Sequence, residues 1–405
     1  MRFIYNLSIQ IYGFALRIAS LFIPKAKLWI DGRKNQQATF PSVEGKKVLW
    51  FHCASLGEFD QGLPLMNLLK KEDPTLFLLV TFFSPSGYEH YHKRNHSIDF
   101  ACYIPLDTPS KARKFVDHFK PEIAVFVKYE FWSNFIFTLK KNNAQLYSVS
   151  TILRPEHRFF KWYGGYFRKT LKQFDYFFVQ NESTKKLLAS IGISNADVTG
   201  DSRFDRVIEN KAQLQHNPIL ERFTKNAQSV LICGSTWPVD EALLQEQFNG
   251  SIFDKVIIAP HNIDKKHISE IEELITVKYD KITSVSDTLE DSRILILDTI
   301  GQLSSAYSYA TIAYVGGGFT GNLHNILEPA VFGLPVVFGP KHSKFPEAES
   351  FIQHGFGFSI SSKEELQTQL KHAQSNILSL SQKATFFVEQ NAGASIKIAQ
   401  YILKK

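Results

Sequence analysis

The chain has 405 residues, 44% of them hydrophobic and 21% charged, which is enough for two folded domains and excludes a disordered or fibrous chain. Its net charge of +7 is unevenly placed: residues 1–200 hold 27 Lys and Arg against 16 Asp and Glu, and residues 201–405 hold 19 against 23. A basic first half either faces an anionic partner (phospholipid, a phosphorylated lipid or nucleic acid) or is simply a solvated surface.

From Phe3 to Pro24 the only charge is Arg17. Asn6, Gln10, Gly13, Arg17 and Ser20 fall on one stripe of a helix, and Ile4, Leu7, Ile11, Phe14 and Ile18 on the opposite face. A cleaved signal peptide fits poorly, because no small-residue cleavage site precedes Pro24. The stretch is long enough to span a bilayer, but the polar stripe predicts a helix lying in the membrane interface. Lys25, Lys27, Arg33 and Lys34 follow it as a cytoplasmic flank. The competing reading is an ordinary amphipathic helix packed on its own domain.

Apolar, β-rich runs then alternate with helical stretches. They lie at 47–53, 76–83, 122–127, 145–151 and 175–179 in the first half, and at 229–233, 255–259, 293–297, 311–315 and 335–338 in the second. Continuous apolar runs at that spacing predict βαβ units and parallel sheets covered on both faces. The organisation predicted is a membrane-associated helix and basic flank at 1–34, an acceptor-binding Rossmann-like domain at 35–205, a linker at 206–227, a donor-binding Rossmann-like domain at 228–380, and a terminal helical segment at 381–405. In this α/β architecture two doubly wound domains face a cleft, and ligands sit at the carboxyl ends of the strands. Cys53, Cys102 and Cys233 form no CxxC pair and sit in apolar runs, as reduced core thiols do.

The first strand runs into Ala54-Ser55-Leu56-Gly57-Glu58. Small residues at a tight turn, with a carboxylate opening a helix, suit a site for a sugar or an anion. Ser55 and Glu58 are also at capping-box spacing, so Glu58 is a candidate for either role. A second carboxylate, Glu130, follows the strand at 122–127 and is flanked by Tyr129, Phe131 and Trp132, whose rings can stack on sugar faces. Its alternative is a surface ion pair with Lys128. Arg154, Arg158, Lys161 and Trp162 form an aromatic-basic run that either meets lipid headgroups or is a solvated amphipathic helix.

In the second half, Gly234-Ser235-Thr236 ends a strand with groups suited to a phosphate or carboxylate, or to a plain turn. Gly316, Gly318 and Gly321 satisfy GxGxxG, yet the acidic residue that a dinucleotide fold places ~20 positions on is missing. What remains is a glycine-rich loop, Gly316-Gly317-Gly318, bringing backbone near a ligand, with Asn325 and Glu328 one turn apart to hold a ribose. There is no Walker A loop, DxD pair or convincing metal cluster, and His92 and His96 read as a polar surface loop.

The Ala54–Phe59 turn, Glu130-Phe131-Trp132, Gly234-Ser235-Thr236, Asp298-Thr299-Ile300-Gly301, Gly316–Gly318 and His324-Asn325 with Glu328-Pro329 together resemble the 3-deoxy-D-manno-octulosonic acid (Kdo) transferases. The resemblance is collinear from the N-terminal helix to about residue 347. It implies a GT-B fold, CMP-Kdo as donor, a lipid A precursor (lipid IVA) as acceptor, inversion at the anomeric carbon, and no metal or other cofactor. It also implies association with phospholipid at the cytoplasmic face of an inner membrane, in lipopolysaccharide synthesis, with no nucleic acid as partner. Glu58 matches the family's general base and Glu130 a second acidic residue on the acceptor side, next to Ser55 and Gly57. Asn325 and Glu328 match the nucleotide site, with Gly301 and the glycine loop nearby. Two departures stand out. Pro260-His261-Asn262 replaces Pro-Arg-His near the donor phosphate, so that Lys265 or Lys341 is a candidate substitute cation, and Gly301-Gln302 replaces Gly-Glu.

Overall fold

The computed structural model describes residues 1–250 and 252–404. They form two compact units, Met1–Arg206 with Ala392–Lys405, and Val207–Asn391. In the first unit seven strands pair in parallel: β1 (Val48–Cys53), β2 (Phe77–Phe82), β3 (Phe100–Tyr103), β4 (Ile123–Val127), β5 (Gln145–Thr151), β6 (Tyr176–Val179) and β7 (Ala196–Val198). Their order is β3-β2-β1-β4-β5-β6-β7. Successive strand residues point to opposite faces, so Trp50, Leu79 and Phe126 join one core cluster, and Leu49, Phe51, Val80 and Val125 the other. Both faces are covered, which is why the inner strands read as largely apolar runs. The order reverses between β1 and β4, so the chain leaves these two strands in opposite directions and a crevice opens at their carboxyl ends.

The second unit repeats this plan with β8 (Val230–Thr236), β9 (Lys255–Pro260), β10 (Tyr279–Lys281), β11 (Ile294–Ile296), β12 (Ile312–Val315), β13 (Val336–Phe338) and β14 (Gly357–Ser359). The order is β10-β11-β9-β8-β12-β13-β14, with its reversal between β8 and β12.

The stretch expected as a linker, 206–227, is largely helical instead, with helices Ser202–Ala212 and Pro218–Thr224. Asn217 caps the second of these by accepting the Ile219 and Leu220 N–H groups, and Leu220 and Phe223 enter the second unit's core. Two buried residues in a seven-residue helix are too few to register as a period. The C-terminal segment also divides. Helix Ile377–Asn391 stays with the second unit, whereas Ala394–Leu403 packs on Leu56–Glu72 of the first, placing Ile398, Ala399 and Ile402 in its core.

The N-terminal helix, Arg2–Ala19, docks by an unusual side. Ile9 and Gly13 are buried and Tyr5 and Asn6 half-buried, while Phe3 is 77% and Phe14 63% exposed. A Cβ on Gly13 would stand 2.6 Å from Leu106, so glycine sets how close the helix lies. A helix packed on its own domain normally hides its apolar face; this one shows it, along with Ile4, Leu7, Ile11 and Ile18. Gln10 and Arg17 are exposed as well, so the predicted polar stripe meets the domain only in part. No single helix among the described residues is long and apolar enough to cross a membrane.

Candidate active site

The two predicted carboxylates come together at the β1/β4 reversal. Glu58 lies in the first turn of helix Leu56–Glu72, just after β1, and Glu130 follows β4. The capping box is not formed: the Ser55 hydroxyl makes no cap hydrogen bond, and Glu58 Oε2 accepts the N–H of Ala54, one residue before the cap, at 2.5 Å. Burial pushes the Glu58 carboxyl above the usual range, opposed by that N–H and by Lys128. Glu130 is pushed up to about 7, first by burial and then by the Glu58 charge. Glu130 therefore keeps part of its protons near neutral pH, beside the charge of Glu58. Gly57 is exposed, with nothing within 4 Å of where its Cβ would stand.

Beneath Glu130 runs a buried chain of hydrogen bonds. Trp132 Nε1 donates to His52 Nε2 at 3.0 Å, which leaves the His52 proton on Nδ1, directed at Thr81 Oγ1 2.9 Å away. Trp50 Nε1 donates to the same Thr81 oxygen at 2.8 Å. Burial lowers His52 to about 3, so the ring stays neutral. Lys128 and Ser150 have φ of 61° and 50°, left-handed values that L-residues rarely adopt and that recur at functional strand ends.

A cavity of about 580 Å³ opens beside Glu130, walled on one side by the N-terminal helix and on the other by Tyr129–Trp132. Asp107 ties the two walls: it accepts Tyr5 Oη–H at 2.5 Å and the Asn134 and Phe135 N–H groups at 3.1 and 3.0 Å. Of the aromatic-basic run, Arg158 lines the cavity with its guanidinium 4.7 Å from the Phe167 ring, and Trp162 is 92% exposed. The run is not an amphipathic helix. It is a turn, Arg158–Phe160, folded by Arg168, which donates to the Phe159 and Lys161 carbonyls. Arg154 is exposed and Lys161 half-buried.

In the second unit the residues at 234–236, 261, 316–318 and 324–328 gather around the β8/β12 reversal, with corrections, whereas Gly301 follows β11, which lies beyond β9 in the sheet. Thr236 is buried and its hydroxyl donates to Glu241 at 2.8 Å, so it faces inward and not toward a ligand. A register shift between Gly234 and Thr236 turns the strand there, and Ser235 takes φ 53°. Gly234 has Tyr307 against it: a Cβ would lie 2.3 Å from the phenol oxygen. Gly316, Gly317 and Gly318 are all buried, and their glycine requirement is backbone packing, with Cβ atoms falling 2.1–2.5 Å from Ser235 O, Asn322 O and Gly339 N. A ligand is not what demands glycine there.

Asn325 precedes the short helix Leu327–Ala330 instead of sharing its face with Glu328. The two side chains still meet, because Asn325 accepts the Leu327 N–H and donates to Glu328 Oε1 at 3.1 Å. Gly301 is exposed with φ 91°. His261 stacks on Trp237, centroids 4.4 Å apart, and lies 4.5 Å from His324, to which Trp237 Nε1 donates. Burial and the neighbouring His261 lower the His324 pKa. Of the substitute cations, Lys341 adjoins the glycine loop, its backbone N–H donating to Gly318 O; Lys265 opens helix Lys265–Glu273.

Three features escaped the sequence reading. Asp240, buried, gathers Trp237 N–H, Gly317 N–H and Tyr314 Oη–H and so joins the two switch-point loops. Glu241 meets His267 at 2.8 Å, and His267 Nδ1 reaches Asn262 O, bracing the loop that carries His261. The third is the His52 chain, whose one local sign was polar His52 and Thr81 inside apolar strands.

Residues 30–206 match the family model described as 3-Deoxy-D-manno-octulosonic-acid transferase (kdotransferase). The 3-deoxy-D-manno-octulosonic acid transferase of Rickettsia felis is 28% identical over 383 residues, 89% of this chain and 79% of the relative. That of Aquifex aeolicus is 28% identical over 335 residues, 80% of this chain and 85% of the relative. By sequence, the chain is related to the Kdo transferases. Its fold is GT-B. In fold it also resembles the UDP-GlcNAc 2-epimerase of Neisseria meningitidis (TM-score 0.65, 15% identity, covering 89% of this chain and 100% of that one). The MurG of Acinetobacter baumannii matches with TM-score 0.53 at 12% identity, over 89% and 100% of the two chains. Within the Kdo transferase relationship, Glu58 and Glu130 both fall inside the matched segment.

Proposed function

We propose that the chain moves Kdo from CMP-Kdo to a hydroxyl of the lipid A precursor lipid IVA, with inversion and without a metal, at the cytoplasmic face of an inner membrane. The observation that carries this is the Glu58–Glu130 pair at the first sheet's reversal, beside a helix whose apolar face is exposed. Glu58 takes the proton of the acceptor hydroxyl as it attacks, and Glu130 holds and polarises the acceptor. The helix keeps the enzyme on phospholipid. On the donor side Asn325 and Glu328 take the ribose, while Ser235, His261 and Gly301 lie toward the CMP and Kdo groups. A monophosphate leaving group carries less charge than a diphosphate, so backbone N–H groups and one cation suffice to stabilise its departure.

The test is mass spectrometry of the lipid product after incubation with CMP-Kdo and tetra-acylated lipid IVA. Glu58→Gln should fold and bind CMP normally yet lose transfer by ~10²–10⁴-fold, the usual worth of a general base. Activity within tenfold of wild type would move the base to Glu130, and donor competition by UDP but not CMP would overturn the donor.

A further inference from the structure

We infer that the cavity beside Glu130 is an acyl-chain chamber, which seats one fatty-acyl chain of the lipid acceptor against the N-terminal helix. This rests on the proposed lipid acceptor and goes beyond it, because it makes the helix a wall of the substrate site as well as an anchor.

The chamber's composition is the first argument. Ile4, Ile9 and Tyr12 of the helix face Phe131, Phe159 and Phe167 across a space of about 580 Å³. Pockets of that size lined by aliphatic and aromatic groups favour an apolar ligand over water. Its lining is the second argument. The lining includes Glu130 and Ala54, where the acceptor sugar stands if Glu130 holds it for Glu58. The lining also includes Ile4, which is 61% exposed and shares the outward apolar face of the helix with Phe3, Leu7 and Ile11. A chain esterified to a sugar at Glu130 can therefore run through the chamber to the bilayer side without crossing water.

Charge supplies the third argument. Arg158 lines the chamber with its guanidinium held over Phe167, and Arg154 stands exposed nearby in sequence, so an anionic headgroup outside the chamber meets cations. The wall is also built to hold its shape. Asn134 donates to Asn6 Oδ1 at 2.9 Å, and the buried Asp107 fixes Tyr5 to the start of helix Ser133–Lys141, three residues after Glu130. Chain occupancy and the placing of Glu130 are thus mechanically linked.

The experiment uses the full-length protein in phospholipid vesicles and tetra-acylated lipid IVA carrying a diazirine at the end of one acyl chain. Photolysis should label residues 4–12 together with 129–132 or 159–167. In parallel, kcat/KM is compared between tetra-acylated lipid IVA and the acyl-free phosphorylated disaccharide. Each buried methylene is worth roughly fourfold in affinity, so Ser8→Trp, which fills the chamber from the helix side, should cut the ratio of the two kcat/KM values about tenfold or more and abolish the chamber label. Labelling confined to Phe3, Leu7 and Ile11, or an unchanged ratio in a folded Ser8→Trp variant, overturns the chamber. So does equal labelling by a diazirine phosphatidylethanolamine that excess lipid IVA fails to displace, since the occupant would then be bulk lipid. If the chamber is labelled by lipid IVA but wild-type enzyme transfers no Kdo to either acceptor, the chamber stands and the proposed reaction falls.

Discussion

Glu130 is the residue whose charge depends most on its surroundings. Burial and the Glu58 charge hold its folded pKa near 7, above the ~4.3 of an unfolded glutamate. The stability it contributes is therefore complete below about pH 4 and is lost as pH rises through about 7. Glu130→Gln cannot ionise, so it should be more stable than wild type at pH 8, by ~1–3 kcal/mol after allowance for partial exposure, and nearly equal to it at pH 5. Thermal melts at the two pH values check this, and an equal difference at both would show that ionisation is not the cause. On the donor side, Glu328→Gln keeps size but removes the charge that pairs with Asn325 and faces the proposed ribose. CMP affinity measured by calorimetry should fall by ~1–3 kcal/mol, the scale for a charged hydrogen bond. Both carboxylates were legible in the sequence because each ends a strand beside small or aromatic residues. Thr236 was misread because a hydroxyl after a strand looks alike whether it faces a ligand or, as here, Glu241.

Among the elements, the N-terminal helix both exposes an apolar face and walls the cavity beside Glu130. Deleting residues 1–24 should release the protein from membranes in a vesicle-sedimentation assay, because the exposed apolar face goes with it. CMP binding should persist, since the proposed donor residues belong to the second unit. The truncation should also raise KM for lipid IVA in detergent, where no membrane is needed, because Tyr5 no longer holds Asp107 and one cavity wall is gone. Release without a change in KM would make the helix an anchor alone. The strands show where periodicity stops being informative. All ten predicted runs are strands, whereas β3, β7, β10 and β14 were missed, and these are the four edges of the two sheets. Ala196–Val198 and Tyr279–Lys281 are three-residue, partly exposed strands with Asp197 and Asp280 at their centres, so they carry no unbroken apolar run to read.

For the whole molecule, the crossing of the C-terminal helix into the first unit makes stability non-local. Truncation after Asn391 removes Ile398, Ala399 and Ile402 from the first unit's core and Tyr401 from its contact with Tyr176. At ~1.5–3 kcal/mol for each fully buried large aliphatic side chain, the first unit should melt well below its wild-type temperature, while the second keeps its own. Calorimetry with and without CMP separates them, since CMP should raise only the second unit's transition. A single transition, lowered as a whole, would show that the units do not unfold independently.

The sequence by itself determined the two parallel sheets, the carboxylates at the first reversal, and the relationship to the Kdo transferases. Strands buried on both faces must be apolar throughout, and a residue that ends such a strand is marked by its neighbours, so this information is local. Tertiary structure alone decided which distant groups meet. Trp132 reaches His52 across 80 positions and Tyr5 reaches Asp107 across 102. It also decided that the N-terminal helix turns its apolar face outward, and that the Gly316–Gly318 run serves backbone packing. A periodic pattern tells which face of an element is apolar, but not which remote segment covers it, nor whether a small residue yields its space to a ligand or to another strand.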